Sequence, residues 1–308
     1  MGRYLIRRLI QAIPVLFGAT FLIYALTFLL GGDPIQALAG EKKADPLVAA
    51  MLREKYHLDD PFFIQYWNYL TGVFQGNFGE TLNGRKVLDE IVEAFPYTVN
   101  LAVVAFIIEA LVGVTAGIMS ALRRGKFLDQ VVLLSTLMVI SIPVFVTGFM
   151  LQLLLGVEFP IFSPSFKEEE GLQAYILPAF ILASTSLAYV TRLTRTSLME
   201  TMRADYVRTA TAKGLPRRRV VINHALRNAL IPIVTFLGAD LGALMGGAVV
   251  TENIFNINGI GGLIARAIRL DQGITLVGVV TLLVLVYLLA NLIVDLLYAV
   301  LDPRIRYA

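Results

Sequence analysis

The chain contains no cysteine, which excludes disulfide staples, thiolate nucleophiles and thiolate metal sites. Histidine is nearly as scarce: His57 and His224 stand far apart, and no metal-ligand spacing surrounds either. Charge is thin, at 16% Asp, Glu, Lys and Arg, against about 25% in an ordinary soluble domain. No Gly-x4-Gly-Lys-Ser/Thr phosphate loop occurs, so any nucleotide that drives this protein is bound by another chain. The apolar segments also lack a Ser/His pair, a His-Glu metal motif, and acids paired at i, i+3 or i+4. An intramembrane enzyme would therefore be missing its reacting groups.

What fills the 308 residues instead is hydrophobic, at 57% of the total, with a mean hydropathy of +0.72. The solvent for such a chain is a bilayer. Six runs are long enough to cross a hydrocarbon core of ~30 Å as helices: 10–30, 96–121, 131–155, 172–191, 229–251 and 274–300. Three hold no charged residue, and the others hold one acid each, Glu109, Asp240 and Asp295.

Basic residues in short connections orient the spans. Arg3, Arg7 and Arg8 precede the first, and Arg123, Arg124 and Lys126 link the second to the third. The link at 192–228 holds nine basic residues against two acids, Glu200 and Asp205, and Arg304 and Arg306 end the chain. All four segments fall on one side, so the expectation is six spans with both termini cytoplasmic. Ala37-Leu38-Ala39 before Gly40 resembles a signal-peptidase site. The apolar run ahead of it is about 21 residues, longer than a signal h-region, and reads as a retained span.

On the opposite side, 31–95 is no featureless linker. Leu47, Met51 and Leu52, then Phe63, Tyr66, Trp67 and Leu70, recur at helical spacing between Asp-Pro and Gly breaks. Short amphipathic helices are expected there, either packed as a cap or touching solute. The division that follows is a first span at 1–30, an outer segment at 31–95, and a core at 96–308 with a cytoplasmic element at 205–222.

That element reads "DYVRTATAKGLPRRRVVINHA" and lies between two apolar runs. Asp205 is placed to cap a helix over 205–213. Gly214 suits a left-handed stop, and Pro216 suits the start of a second helix running into the fifth span. Tyr206 and Val207 offer an apolar anchor, and the small Ala210, Thr211 and Ala212 allow close approach by another protein. Arg208, Arg217, Arg218 and Arg219 can pair with acidic partner residues or lipid phosphates. The same residues also suit a plain basic loop on anionic headgroups.

The order of these residues resembles the cytoplasmic "EAA" motif of ATP-binding-cassette importer permeases: Glu-Ala-Ala, three residues, Gly, nine residues, Ile-x-Leu-Pro. Gly214 takes the glycine, Ala210 the second alanine and Leu226 the leucine, whereas Arg208, Thr209, His224 and Arg227 depart from the pattern. The departures are similar to the variant in the first permease subunit of dipeptide and oligopeptide importers. So are "YLIRRLIQAIPVLFGATFLIYALTFLLGGDP", "LDDPFFIQYWNYLTGVFQGNFGETL", "GALMGGAVVTENIFNINGIGGLI" and "DLLYAVLDPRIRY", in collinear order along nearly the whole chain.

The resemblance implies an all-α type I importer permease fold in the cell membrane. It also implies a second homologous permease, two cytoplasmic ATPase domains holding ATP and magnesium, and an extracytoplasmic solute-binding protein, with no cofactor on this chain and no nucleic-acid partner. It marks Tyr206, Arg208, Thr209, Ala210, Lys213, Gly214 and Leu215 as contact or shape determinants toward the ATPase.

Acids inside spans are costly facing lipid, which makes Glu109 and Asp240 candidates for a solute path where they receive an ammonium group, with Met245 nearby. Each fits equally well as a structural residue, hydrogen-bonded to a Thr, Tyr or Asn of a neighbouring span. Asp295, near the cytoplasmic end, leans toward the structural role. Pro143, Pro232 and the Gly pairs at 246–247 and 261–262 are expected to break helices at gates. The piece 253–265 is expected to dip back as a re-entrant turn and helix at an outer mouth built from Glu252, Phe255, Gly259 and Gly261, with Glu252 paired to Arg266 or Arg269 at the surface. The rival transport mechanism is an ion-coupled carrier using Glu109 and Asp240. Against it stand only six spans and no internal repeat.

Overall fold

The computed structural model describes residues 2–29, 46–55, 59–81 and 84–301, with the side chains of 2–5, 46, 48–49, 52, 55 and 293–301 excepted. The side chain of Asp295, together with His57, Ala37–Gly40, Arg304 and Arg306, lies outside that set. Among the described residues all regular structure is helical, apart from an isolated bridge between Glu80 and Lys86. Five helices are long and apolar enough to cross a membrane, and a sixth crossing is available if one bent pair counts as a span. Helix is the state that such apolar sequence requires, because it satisfies every backbone polar group within the segment.

The chain divides into two compact units, Met1–Thr98 with Asn256–Ala308, and Val99–Phe255. In the first unit, α1 (Gly2–Leu29) packs along the C-terminal helix Gly273–Leu301. Two expected amphipathic helices are present in the outer segment, α2 (Pro46–Lys55) and α3 (Phe62–Phe74). Helix α3 splits its apolar residues between two faces. Tyr66 and Leu70 are buried with Tyr24 and Val277, whereas Phe63 and Trp67 face outward. The inward tyrosines carry their hydroxyls to partners: Tyr66 donates to the Phe17 carbonyl at 3.0 Å, and Tyr69 to Thr281 Oγ1 at 2.7 Å. A short helix, Ile260–Arg269, precedes the C-terminal one, and its first N–H bonds to Thr98 Oγ1 at 2.8 Å.

The second unit is built around a central helix, Gln173–Thr201, the most deeply buried of the apolar helices. Against it lies the long helix α4 (Val87–Leu122), which enters this unit after Thr98. Gly113 and Gly117 permit the contact. A Cβ on Gly113 would stand 3.0 Å from Val190 Cγ1, and one on Gly117 would stand 2.6 Å from the Thr191 carbonyl oxygen. This small-xxx-small spacing lets two backbones approach closely in lipid, where dispersion contacts and not water drive association.

The run at 131–155 carries the break expected at Pro143. It is two helices, α5 (Phe127–Ser141) and α6 (Val144–Glu158), bent by 103°. Pro143 crowds the residue before it and disfavours its helical conformation, and Ile142 is extended, at φ −102° and ψ 127°. Pro232 and Gly246–Gly247, expected to break their helix, do not, because Arg217–Phe255 is continuous. A proline removes one donor, and in apolar surroundings the remaining backbone groups have no better partners than helical ones. Gly261 and Gly262 likewise lie inside Ile260–Arg269. In order, the remaining helices are α7 (Gln173–Thr201), α8 (Asp205–Ala212), α9 (Arg217–Phe255), α10 (Ile260–Arg269) and α11 (Gly273–Leu301).

Candidate functional site: a basic elbow, a buried clamp and two acids

Helix α8 and the start of α9 form the elbow. The residue before α8 is Ala204, extended at φ −66° and ψ 147°, so Asp205 is the first helical residue and not the cap expected of it. Its carboxylate still lies in the first turn, where the helix dipole favours negative charge. The helix closes through the Lys213 N–H to the Thr209 carbonyl and the Gly214 N–H to the Thr211 carbonyl, both at 3.0 Å. Gly214 adopts φ +78°, with open space where a Cβ would sit. Its requirement is therefore conformational and not steric, since the left-handed region disfavours any side chain. Pro216 is the boundary residue of α9, whose first turns include a π-helical stretch, Val220–Leu226.

Val207 and Ala210 turn inward. They are buried with Leu198, Val220, Ala225 and Ala229, while Leu215 and Met202 pack at the edge. Asn228 Nδ2 donates to the Tyr206 hydroxyl at 2.9 Å, and Ser197 Oγ donates to the Ala229 carbonyl at 2.8 Å. The elbow is thereby fixed to the end of α7 and the start of α9. Its outward side carries Tyr206, Arg208, Thr209, Lys213, Gly214 and Arg217–Arg219. Asp205 offers little compensation to these cations, since its contact with Arg208 is 3.5 Å and exposed.

A second device was not singled out in the sequence. Asp129 is buried near the start of α5 and uses both carboxylate oxygens. Oδ1 accepts from Ser120 Oγ at 2.5 Å and Arg195 Nε at 2.6 Å, and Oδ2 accepts from the Gly125 N–H at 2.8 Å and Arg195 Nη2 at 2.9 Å. A bidentate pair of this kind fixes orientation as well as distance. It clamps the α4–α5 turn onto α7, about two turns before that helix ends.

Glu109 and Asp240 are brought together. Glu109 is fully buried at the first position of a π-helical stretch, Glu109–Gly113, within α4. Its carboxyl neighbours that of Asp240 on α9, and neither Glu109 oxygen nor Asp240 Oδ2 has a hydrogen-bond partner. Met245 is half-buried on the same helix, but five residues from Asp240 is about 140° around the axis, so one face does not present both.

At the far end of α9, Glu252 and Phe255 are buried, so Glu252 is not the surface group expected of it. Gln152 Nε2 donates to the Pro164 and Ile254 carbonyls at 2.6 and 2.8 Å, and the Phe166 N–H donates to the Phe255 carbonyl at 2.8 Å. The bonds to Ile254 and Phe255 satisfy carbonyls that a helix end leaves without partners. Asn256 follows at φ +53°, and α10 starts only at Ile260, with Gly259 as its boundary residue and Gly261 inside it. The turn and helix expected within 253–265 are thus present, but with Asn253–Phe255 belonging to α9.

Long apolar helices joined by a glycine-hinged basic elbow fit an integral membrane component of a transport machine. The comparisons agree. Residues 113–307 match the family described as binding-protein-dependent transport system inner membrane component, and residues 1–102 match its N-terminal counterpart. The chain is 38% identical over 335 residues to the di/tripeptide transport system permease protein DppB of Pseudomonas aeruginosa (strain UCBPP-PA14), covering 100% of this chain and 99% of that one. It is 36% identical over 337 residues to the dipeptide transport system permease protein DppB of Escherichia coli K12, again covering 100% and 99%. It is also 36% identical over 308 residues to the glutathione transport system permease protein GsiC of the same strain, covering 100% of each.

The chain belongs to the binding-protein-dependent transport system inner membrane component family. It is a permease subunit of the inner membrane that works with a solute-binding protein and a separate ATPase, and it is not itself the ATPase. Membership sets aside the ion-coupled carrier.

Proposed function

We propose that this permease forms half of the import path for di- or oligopeptides or related small solutes. Its elbow would pass the closure of a cytoplasmic ATPase to the membrane helices. The observation that carries the reading is the elbow's construction. A left-handed Gly214 joins two helices packed on one apolar cluster, and the second runs without interruption to Phe255. A joint of that stiffness transmits rigid-body motion that a loose loop would absorb. The printed names of the relatives, for di/tripeptides, dipeptides and glutathione, support a peptide-like solute.

In this reading the chain has six spans with both termini cytoplasmic and works beside a second homologous permease and two ATPase domains carrying ATP and magnesium. A binding protein docks on the outer side, and this chain holds no cofactor. The division into a first span, an outer segment and a core with the elbow belongs to the same proposal. Tyr206, Arg208, Thr209, Lys213 and Leu215 would make or shape the ATPase contact, with Gly214 setting the bend and Ala210 its tight inner packing. Glu109, Asp240 and Met245 would line the path, and Glu252, Phe255, Gly259 and Gly261 its outer mouth.

Gly214→Val tests the coupling. The left-handed region costs a residue with Cβ about 1–2 kcal/mol, so the elbow should reorient while the protein still inserts. ATP-dependent uptake in proteoliposomes should then fall well below the rate of ATP hydrolysis. Wild-type uptake at normal expression would remove the elbow from the mechanism. Asp240→Asn should change uptake or solute-stimulated ATP hydrolysis without loss of assembly, and unaltered kinetics would return Asp240 to a structural role.

A further inference from the structure

Two carboxyl groups meet inside the unit of residues 99–255 with no opposite charge between them. Glu109 is fully buried with both Oε atoms unpartnered, and Asp240 brings its own unpartnered Oδ2 beside it. Among the described residues, Asp240 is the charged group that acts on Glu109.

Among the described residues, the packed elements supply no cation. On α7, Arg195 is engaged by both oxygens of Asp129, Arg192 and Glu200 are exposed, and the Tyr189 ring lies against Phe236. The stretch Val114–Leu122 of α4 has no charged residue. On α9, His224 and Arg227 lie well before Asp240, and Glu252 lies twelve residues beyond it, about 18 Å along the axis. No third ligand completes a metal cage among the described residues.

Two bare carboxylates would not persist in such a place, because burial disfavours each charge and each repels the other. One proton resolves both problems: a protonated oxygen of one group becomes a donor to an orphaned oxygen of the other. The π-helical turn at Glu109 is a local departure of a kind frequent at functional sites. We propose that Glu109 and Asp240 hold a single proton between them, as an acid–carboxylate pair that fastens α4 to α9 in this conformation. The pair carries one negative charge with the proton bound and two when it departs to water. Parting the helices would free an acceptor for the ammonium group of a solute. That last consequence rests on the path reading above; the proton does not.

Infrared difference spectroscopy on the assembled complex in lipid nanodiscs reads the proton directly. At neutral pH, wild type minus Glu109→Gln should show one protonated-carboxyl C=O band that shifts in D2O. Asp240→Asn should move or remove the same band, and Glu252→Gln, at a fully buried acid twelve residues further along α9, should leave it in place. Absence of the band from the Glu109→Gln difference overturns the inference. A wild-type complex with no protonated-carboxyl band at neutral pH overturns it without any variant. If the band is present but uptake is indifferent to both substitutions, the proton pair stands and the path role of these acids falls.

Discussion

Asp129 shows how much a single side chain can organise. Its four hydrogen bonds hold the turn after α4, the start of α5 and the guanidinium of α7 in one arrangement. Removing one partner of a buried, bonded pair leaves an uncompensated charge, at a cost of about 3–5 kcal/mol. Asp129→Ala and Arg195→Ala should therefore each lower the thermal midpoint of the purified complex, and the double variant should lose less than the sum. Strict additivity would show that the two groups do not act as a pair. Gly117 is the steric counterpart. Any Cβ would already sit 2.6 Å from both the Thr191 carbonyl oxygen and Thr194 Cβ, so Gly117→Val should cost about 1–3 kcal/mol through overpacking. Normal detergent stability of that variant would mean α4 and α7 can separate freely.

Among elements, the bent pair α5–α6 departs furthest from a plain membrane rod. Two 15-residue helices at 103° to each other span roughly 28 Å end to end, against roughly 45 Å if straight. Pro143→Ala restores a donor and frees residue 142 to become helical. Spin labels at Phe127 and Phe159, both exposed, should report a longer distance in that variant; an unchanged one would assign the bend to tertiary packing. This segment also marks where sequence reasoning stopped. Apolar runs placed the long helices, and Gly214 with Pro216 located the elbow, because those signals are local. How far Pro143 bends the chain, and how little Pro232 does, depends on neighbours that the local sequence does not name. Asp129 and Arg195 are 66 residues apart, so their pairing had no local signature, although the Gly113–Gly117 spacing was visible. Val207 read as an outward anchor because an eight-residue helix with one apolar stripe can bury that stripe in its own chain or offer it to another.

For the whole molecule, the lack of native cysteine makes every introduced thiol unique. Cysteines placed at Lys126 and Lys213 should react with an impermeant maleimide only from the cytoplasmic side, and one at Phe74 only from the outside. Labelling of all three from one side would refute the six-span topology. Helix α9 covers 39 residues from Arg217 to Phe255, about 58 Å, nearly twice the ~30 Å thickness of a hydrocarbon core. A tilt of about 10° about its middle would swing the two tips in opposite directions by roughly 5 Å each. Like the beam of a seesaw, a helix of that length would couple narrowing at one rim of the proposed path to widening at the other, without a separate hinge for each.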